Sequence, residues 1–254
     1  MSALPSAMTT SHRISATTRW SVIRDAGQVR VHYHGPHGPA QYAALHVRDS
    51  YFRLNAGPRC GWGTSVILLP VYWSEGRCHH GGRVTASWQQ EDSRLVLSLQ
   101  GEVGGLRARL SVSLAPPADG RMVADVQARV EGDVRLDNRP GERFKPVMLS
   151  SMYASPTLWV AQAAQVGDVR HPLPLQGWVV PPDEVTASRT FGLLGGTCAW
   201  KTHAPTIDIT LDRALPITGW VTRSDDPNDD SVGFWAAADH VLRAYSYRIT
   251  AALP

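Results

Sequence analysis

The residues best equipped for chemistry crowd into one stretch, "LDNRPGERFKPVMLSSMYAS" (Leu136 to Ser155), where Asp137, Arg139, Glu142, Arg143 and Lys145 precede an apolar run. A Pro-Gly pair at 140–141 turns the chain there. Asp137 and Glu142 can then approach to the roughly 5–10 Å over which paired carboxylates act as acid and base, or acid and nucleophile. Arg143 and Lys145 would hold one carboxylate ionised or neutralise an acidic substrate. Ser150, Ser151 and Tyr153 add hydroxyls on the segment that follows. The expected catalytic set is Glu142, Asp137, Arg143 and Lys145. The same residues also suit a solvated turn whose surface ion pairs are each worth under about 1 kcal/mol.

Nine tryptophans supply flat apolar surfaces, and Trp62 and Trp73 bracket the segment "GTSVILLPVY". An indole near a strand end can stack on the apolar face of a sugar ring, and it fills a core equally well. Trp62, Trp73, Tyr153, Arg53 and Asn55 form the expected substrate-contacting set. The histidines of "VHYHGPHG" place His32 and His34 on one strand face, the spacing of many metal sites. No glutamate follows at ligand distance, and the adjacent pair His79–His80 would diverge on a strand, so no transition-metal site is expected. The acidic run "SDDPNDD" offers Ca²⁺ the carboxylates of Asp225, Asp226, Asp229 and Asp230, but without the ordered alternation of a calcium loop.

Composition narrows the classes. At 43% hydrophobic and 19% charged residues, the 254-residue chain can bury a sizeable core and carries too little charge for disorder. The net charge is +3, and all basic residues except Lys145 and Lys201 are arginines, scattered singly. A nucleic-acid partner would call for a clustered basic run, so none is expected. Cys60, Cys78 and Cys198 are odd in number and form no C-x-x-C, so they define no disulfide framework. The start lacks the apolar stretch of a secretory signal, and the longest apolar run, Val66 to Trp73, is interrupted by Pro70. A soluble protein with no membrane association is expected, cytoplasmic or secreted with its signal absent from this chain. Nucleophile-elbow, phosphate-loop, zinc-protease and dinucleotide signatures are missing, which disfavours those chemistries and their cofactors.

The elements that must position these residues are strands. Leu106, Ala108, Leu110, Val112 and Leu114 alternate with Arg107, Arg109, Ser111 and Ser113; Met122, Ala124, Val126, Ala128 and Val130 alternate with Asp125, Gln127 and Arg129. Period-2 patterning of this kind gives a strand with one buried and one wet face, as antiparallel sheets allow. Gly-Gly at 104–105, "PPADG" at 116–120 and "DDPNDD" at 225–230 supply turns. The pattern predicts an all-β, antiparallel two-sheet sandwich of jelly-roll or supersandwich type. Residues 20–254 would form one domain behind a flexible 1–19 segment. At most two short helices are expected, over 158–166 and 234–242. Leu110, Val112, Val126 and Leu149 are predicted core.

The paired strands of "LVLSLQGEVGGLRARLSVSLAPPADGRMVADVQARV" (residues 95–130), with their Pro-Pro-x-Asp-Gly turn, resemble the central sheets of galactose-mutarotase-like supersandwiches. That fold serves sugar epimerases and domains of glycosidases and polysaccharide lyases. The resemblance implies a carbohydrate ligand and assigns no residue, because the acid and histidines of the mutarotases have no matching positions here. The expectation is a carbohydrate-active enzyme, a glycoside hydrolase or polysaccharide lyase, working in a cleft on an oligo- or polysaccharide. A non-catalytic carbohydrate-binding module and a small-molecule isomerase or cyclase with a cavity between sheets are the other readings.

Overall fold

The computed structural model describes residues 11–12, 19–25, 28–35, 38–48, 51–55, 65–74, 77–79, 84–133, 136, 142–152, 163–173, 176–194, 207–222 and 231–252. Among them are twenty-one strands and no helix. The N-terminal strands are β1 (Ser11–His12), β2 (Trp20–Asp25), β3 (Gln28–Gly35), β4 (Gly38–Arg48), β5 (Tyr51–Asn55), β6 (Ser65–Ile67), β7 (Val71–Ser74) and β8 (Arg77–His79). The middle of the chain gives β9 (Thr85–Glu91), β10 (Arg94–Val103), β11 (Leu106–Leu114), β12 (Arg121–Glu131), β13 (Arg143–Lys145) and β14 (Met148–Met152). The rest are β15 (Ala163–Val166), β16 (Val169–Pro172), β17 (Gly177–Val180), β18 (Ala187–Leu194), β19 (Ile207–Thr222), β20 (Ser231–Ala236) and β21 (Ala244–Ala252).

All pairings are antiparallel. The main sheet runs β9-β10-β11-β12-β21-β19-β18-β15-β16. It is a strongly curled nine-strand half-barrel rather than one leaf of a clear two-sheet sandwich. A second sheet runs β1-β2-β3-β4-β5-β6-β14-β20-β19-β17. The two sheets are joined rather than simply stacked, because the 16-residue β19 belongs to both. Ile207 to Leu211 pair with β21, and Ile217 to Thr222 pair with β20. Between them Asp212, Arg213 and Ala214 are all exposed, and the inward-outward alternation slips. Pro216 sits at this crossing, where a strand changing sheets can do without a ladder N–H. A small sheet, β13-β7-β8, is tied to the rest by a two-way backbone bridge between Phe144 and Ala238.

Sequence patterning explains the main sheet well. β11 buries every second residue, and β12 does the same in the opposite strand direction. Leu110, Val112, Val126 and Leu149 all lie in the apolar core, as their phase predicts. Gly104 and Gly105 both have positive φ and close the β10–β11 hairpin, setting Val103 opposite Leu106. A two-residue loop of this hand matches the strand twist and demands residues without a Cβ penalty. Neither expected helix forms in the described residues. Ala163–Val166 is β15, and the segment 234–242 begins inside β20, where Phe234 and Ala236 point to the core. Short apolar runs fit both periods, and here cross-strand pairing decides.

Candidate functional site

Of the expected catalytic stretch, Glu142 leads into β13, and Met148–Met152 form β14. Glu142 and Lys145, which follow the Pro-Gly pair, are buried, at 4% and 6% exposure. Buried ionisable groups need partners, and both have them. The Arg143 guanidinium donates to the Glu142 carbonyl at 2.7 Å. The Lys145 ammonium lies 4.0 Å from the ring centroid of Trp235, a cation–π contact. Trp73 is opposite Arg143 in the β13–β7 ladder, and Cys78 on β8 is opposite Trp73. Arg53 and Asn55 lie on β5, in backbone rows that continue through β6 and β14 to β20. The row of Arg53 passes Ile67 and Met148 to Trp235, the residue under Lys145. Asp137, Trp62, Tyr153, Asp225, Asp226, Asp229 and Asp230 lie outside the described residues, as do Cys60 and Cys198.

Around Trp235 the second sheet carries an aromatic face. Trp178 meets Trp220 edge-on at 4.8 Å and Trp235 at 6.2 Å between ring centroids, and Trp178 is 43% exposed. Thr218, opposite Trp235 in the ladder, is buried with a hydroxyl that has no hydrogen-bond partner among the described residues.

A larger feature lies on the polar face of the half-barrel, a trough of about 660 Å³ adjoining a second hollow of about 590 Å³; Gln127, Asp212 and Ser246 line both. The trough is within the roughly 300–1,000 Å³ of common ligand sites. Its floor is a single cross-strand row: Ser87, Ser98, Ser111, Gln127 and Ser246, on β9, β10, β11, β12 and β21. Strand side chains two apart share a face, so parallel rows rise on either side of the floor. One contains Thr85, Gln100, Arg109 and Arg129. The other contains Ser113, Asp125, Arg248 and Thr210. Together the two hollows are lined by six arginines and two aspartates.

The electrostatics of the two walls differ. In one, Asp125 accepts from Arg94 at 3.1 Å and from Arg248 at 2.7 Å. Burial pushes the Asp125 carboxyl up, but the hydrogen bonds from Arg248 and Arg94 prevail and hold it below the usual carboxylate range. Asp212 accepts from the Ser246 backbone N–H at 3.0 Å and pairs with Arg213 at 3.3 Å. In the other wall, Arg109 faces Arg129 directly across the ladder. Further along β19 on the same face, burial raises the Asp208 carboxyl, with Arg121 only partly opposing it.

Chemically, the trough offers hydroxyls, amides and guanidinium groups, the donors and acceptors that suit a polyhydroxylated and negatively charged ligand. Among its described lining residues there is no histidine or cysteine. Among the described residues no three His, Cys, Asp or Glu side chains gather as a metal site, and His34 instead meets the Ser21 hydroxyl at 2.8 Å. In the sequence Arg109, Ser111, Gln127 and Arg129 stand out only as the wet phase of their strands. The signal present in the sequence is the makeup of that phase: short hydroxyls and an amide, flanked by arginines. No protein-family model and no curated protein matches the chain.

Proposed function

We propose that this protein is a carbohydrate-active protein that holds a glycan chain across the polar trough of the half-barrel. The observation that carries the reading is the floor row Ser87–Ser98–Ser111–Gln127–Ser246, five hydrogen-bonding side chains in register on five adjacent strands. An unbranched row of short polar groups gives an extended ligand repeated hydrogen bonds along one direction, with no large side chain in the way. Resemblance of the strands carrying much of this floor to sugar-binding supersandwich sheets supports the same ligand class and the finer supersandwich-type description of the fold.

Binding without turnover is the form the trough supports best. The carboxylates of the trough and of its adjoining hollow are both engaged: Asp125 by two arginines, Asp212 by Arg213 and a backbone N–H. Glycoside hydrolysis calls for one carboxyl that keeps its proton beside one that is ionised. A catalytic reading draws on Glu142, Lys145 and the aromatic face near Trp235, where a buried carboxyl just before β13 and a buried ammonium at its end lie three residues apart. Affinity electrophoresis through a panel of polysaccharides tests the binding proposal, with product release and unsaturated-product absorbance read in parallel. Retardation in at least one gel, abolished by Ser111→Trp, is expected. Unretarded migration through every polysaccharide would refute it, and catalytic release lost in Glu142→Gln but kept in Ser111→Trp would move the function to the other sheet.

A further inference from the structure

We infer that Arg109 and Arg129 form an anion-selective subsite in the trough, so that the glycan held there carries carboxylate or sulfate groups; the inference rests on the trough being the glycan site. The two guanidinium groups project from directly opposed positions of β11 and β12, where Cβ atoms sit about 4.5–5.5 Å apart. Like charges so placed oppose sheet pairing. Nothing next to them in the row relieves the repulsion: Gln100 flanks Arg109, and Ala244 flanks Arg129. Among the described residues Arg109 makes an ion pair with Glu131 at 3.9 Å, with both side chains more than half exposed. Arg129 makes no ion pair among the described residues.

The same face shows what relieves such a pair. One wall away, Arg94 and Arg248 converge on the Asp125 carboxylate, which bonds both. The Arg109–Arg129 row has the two cations and no acid of its own. Only the exposed Glu131 carboxylate, one row away, approaches Arg109, and the row opens into the trough. A ligand carboxylate or sulfate between these two guanidinium groups would do there what Asp125 does in its own row. Two arginines can meet a planar or tetrahedral anion through several charge-assisted hydrogen bonds, which a single lysine cannot. A local arrangement that costs stability and is only weakly offset fits a functional position. Nucleic acid, the other large polyanion, is disfavoured because the described floor exposes no aromatic ring for base stacking; Tyr245 lines the trough but is buried.

The test compares backbones that differ only in charge: polygalacturonate against its methyl-esterified form, and a sulfated glucan against the unsulfated glucan. The wild type should bind at least one charged form about tenfold or more tightly than its neutral counterpart. Which pair shows the preference distinguishes carboxylate from sulfate. Arg109→Gln/Arg129→Gln should remove the preference, bringing affinity for the charged form down to that for the neutral backbone in the same variant. Stability gives a second readout: Arg129→Gln should raise the melting temperature at low salt, with the gain shrinking as salt screens the repulsion. Equal binding of charged and neutral forms would overturn the anion subsite and leave the glycan trough standing, whereas no binding to any glycan would remove both. Equally tight binding of a single-stranded homopolymer DNA would overturn glycan selectivity. A double variant that keeps the full preference would remove these two arginines from recognition.

Discussion

Asp125 and Asp208 project from the same face of the half-barrel, and their surroundings drive them in opposite directions. Burial raises both carboxyls. At Asp125 the hydrogen bonds from Arg248 and Arg94 win and the carboxyl falls below its usual range, whereas at Asp208 the more distant Arg121 does not overcome burial. The depressed group contributes stability above the ordinary carboxylate range, lost as pH falls through its lowered folded value. The raised group behaves the other way: its contribution is present in acid and is lost as pH rises through its raised value. Asp125→Asn should therefore lower the melting temperature at pH 7, with the deficit closing in strong acid. Asp208→Asn should raise it at pH 7, with the gain vanishing by about pH 3. Melting curves of both variants across that range check the pair of signs. Glu142 makes a further residue-scale prediction. Buried and partnered, Glu142→Gln should cost about 1–3 kcal/mol in denaturant unfolding, where a solvated-turn position would stay within about 0.5 kcal/mol. None of these environments was legible in sequence, because Arg248, Arg94 and Asp125 meet only through strand register across distant parts of the chain.

β19 is the element on which the architecture turns. Its first half completes the half-barrel, its second half completes the other sheet, and its non-core face carries Asp212 in the trough and Trp220 on the aromatic face. Close packing holds the second half in place: a Cβ at Gly219 would collide with the ring of Phe234, its ladder partner. Gly219→Ala should then destabilise by about 1–3 kcal/mol, since the ring has a packed core behind it. Urea unfolding would read this, and an unchanged midpoint would mean that Phe234 does not lie over the glycine. Alternation made β10, β11 and β12 legible, and it placed Leu110 and Val126 correctly. It did not reveal β19 as one strand, because "TIDITLD" reads as a complete short strand and Arg213 to Pro216 breaks the period. The run "FWAAADHVL" misled for a related reason: alanines satisfy a helix and a buried strand equally, and only pairing with β19 and β14 resolves them.

At the scale of the whole molecule, curling gives the nine-strand sheet a trough on its polar face. Composition and period-2 patterning predict an antiparallel all-β protein, and that is what forms. Curvature was beyond them: it depends on how many strands join one sheet and on a strand shared with the next. The expected two leaves therefore become a half-barrel fused to a second sheet. The polar phase of the strands gains its meaning only then, because the same serines and arginines on a flat sheet would be ordinary surface. The central claim is that this face, and not the tryptophan face of the other sheet, receives the ligand. Calorimetric titration of the best-retained oligosaccharide into wild type, Ser111→Trp and Trp178→Ala tests it most directly. Saturable heat in the wild type and in Trp178→Ala, lost in Ser111→Trp at unchanged melting temperature, is the predicted result. Binding that survives Ser111→Trp and disappears in Trp178→Ala would contradict the claim.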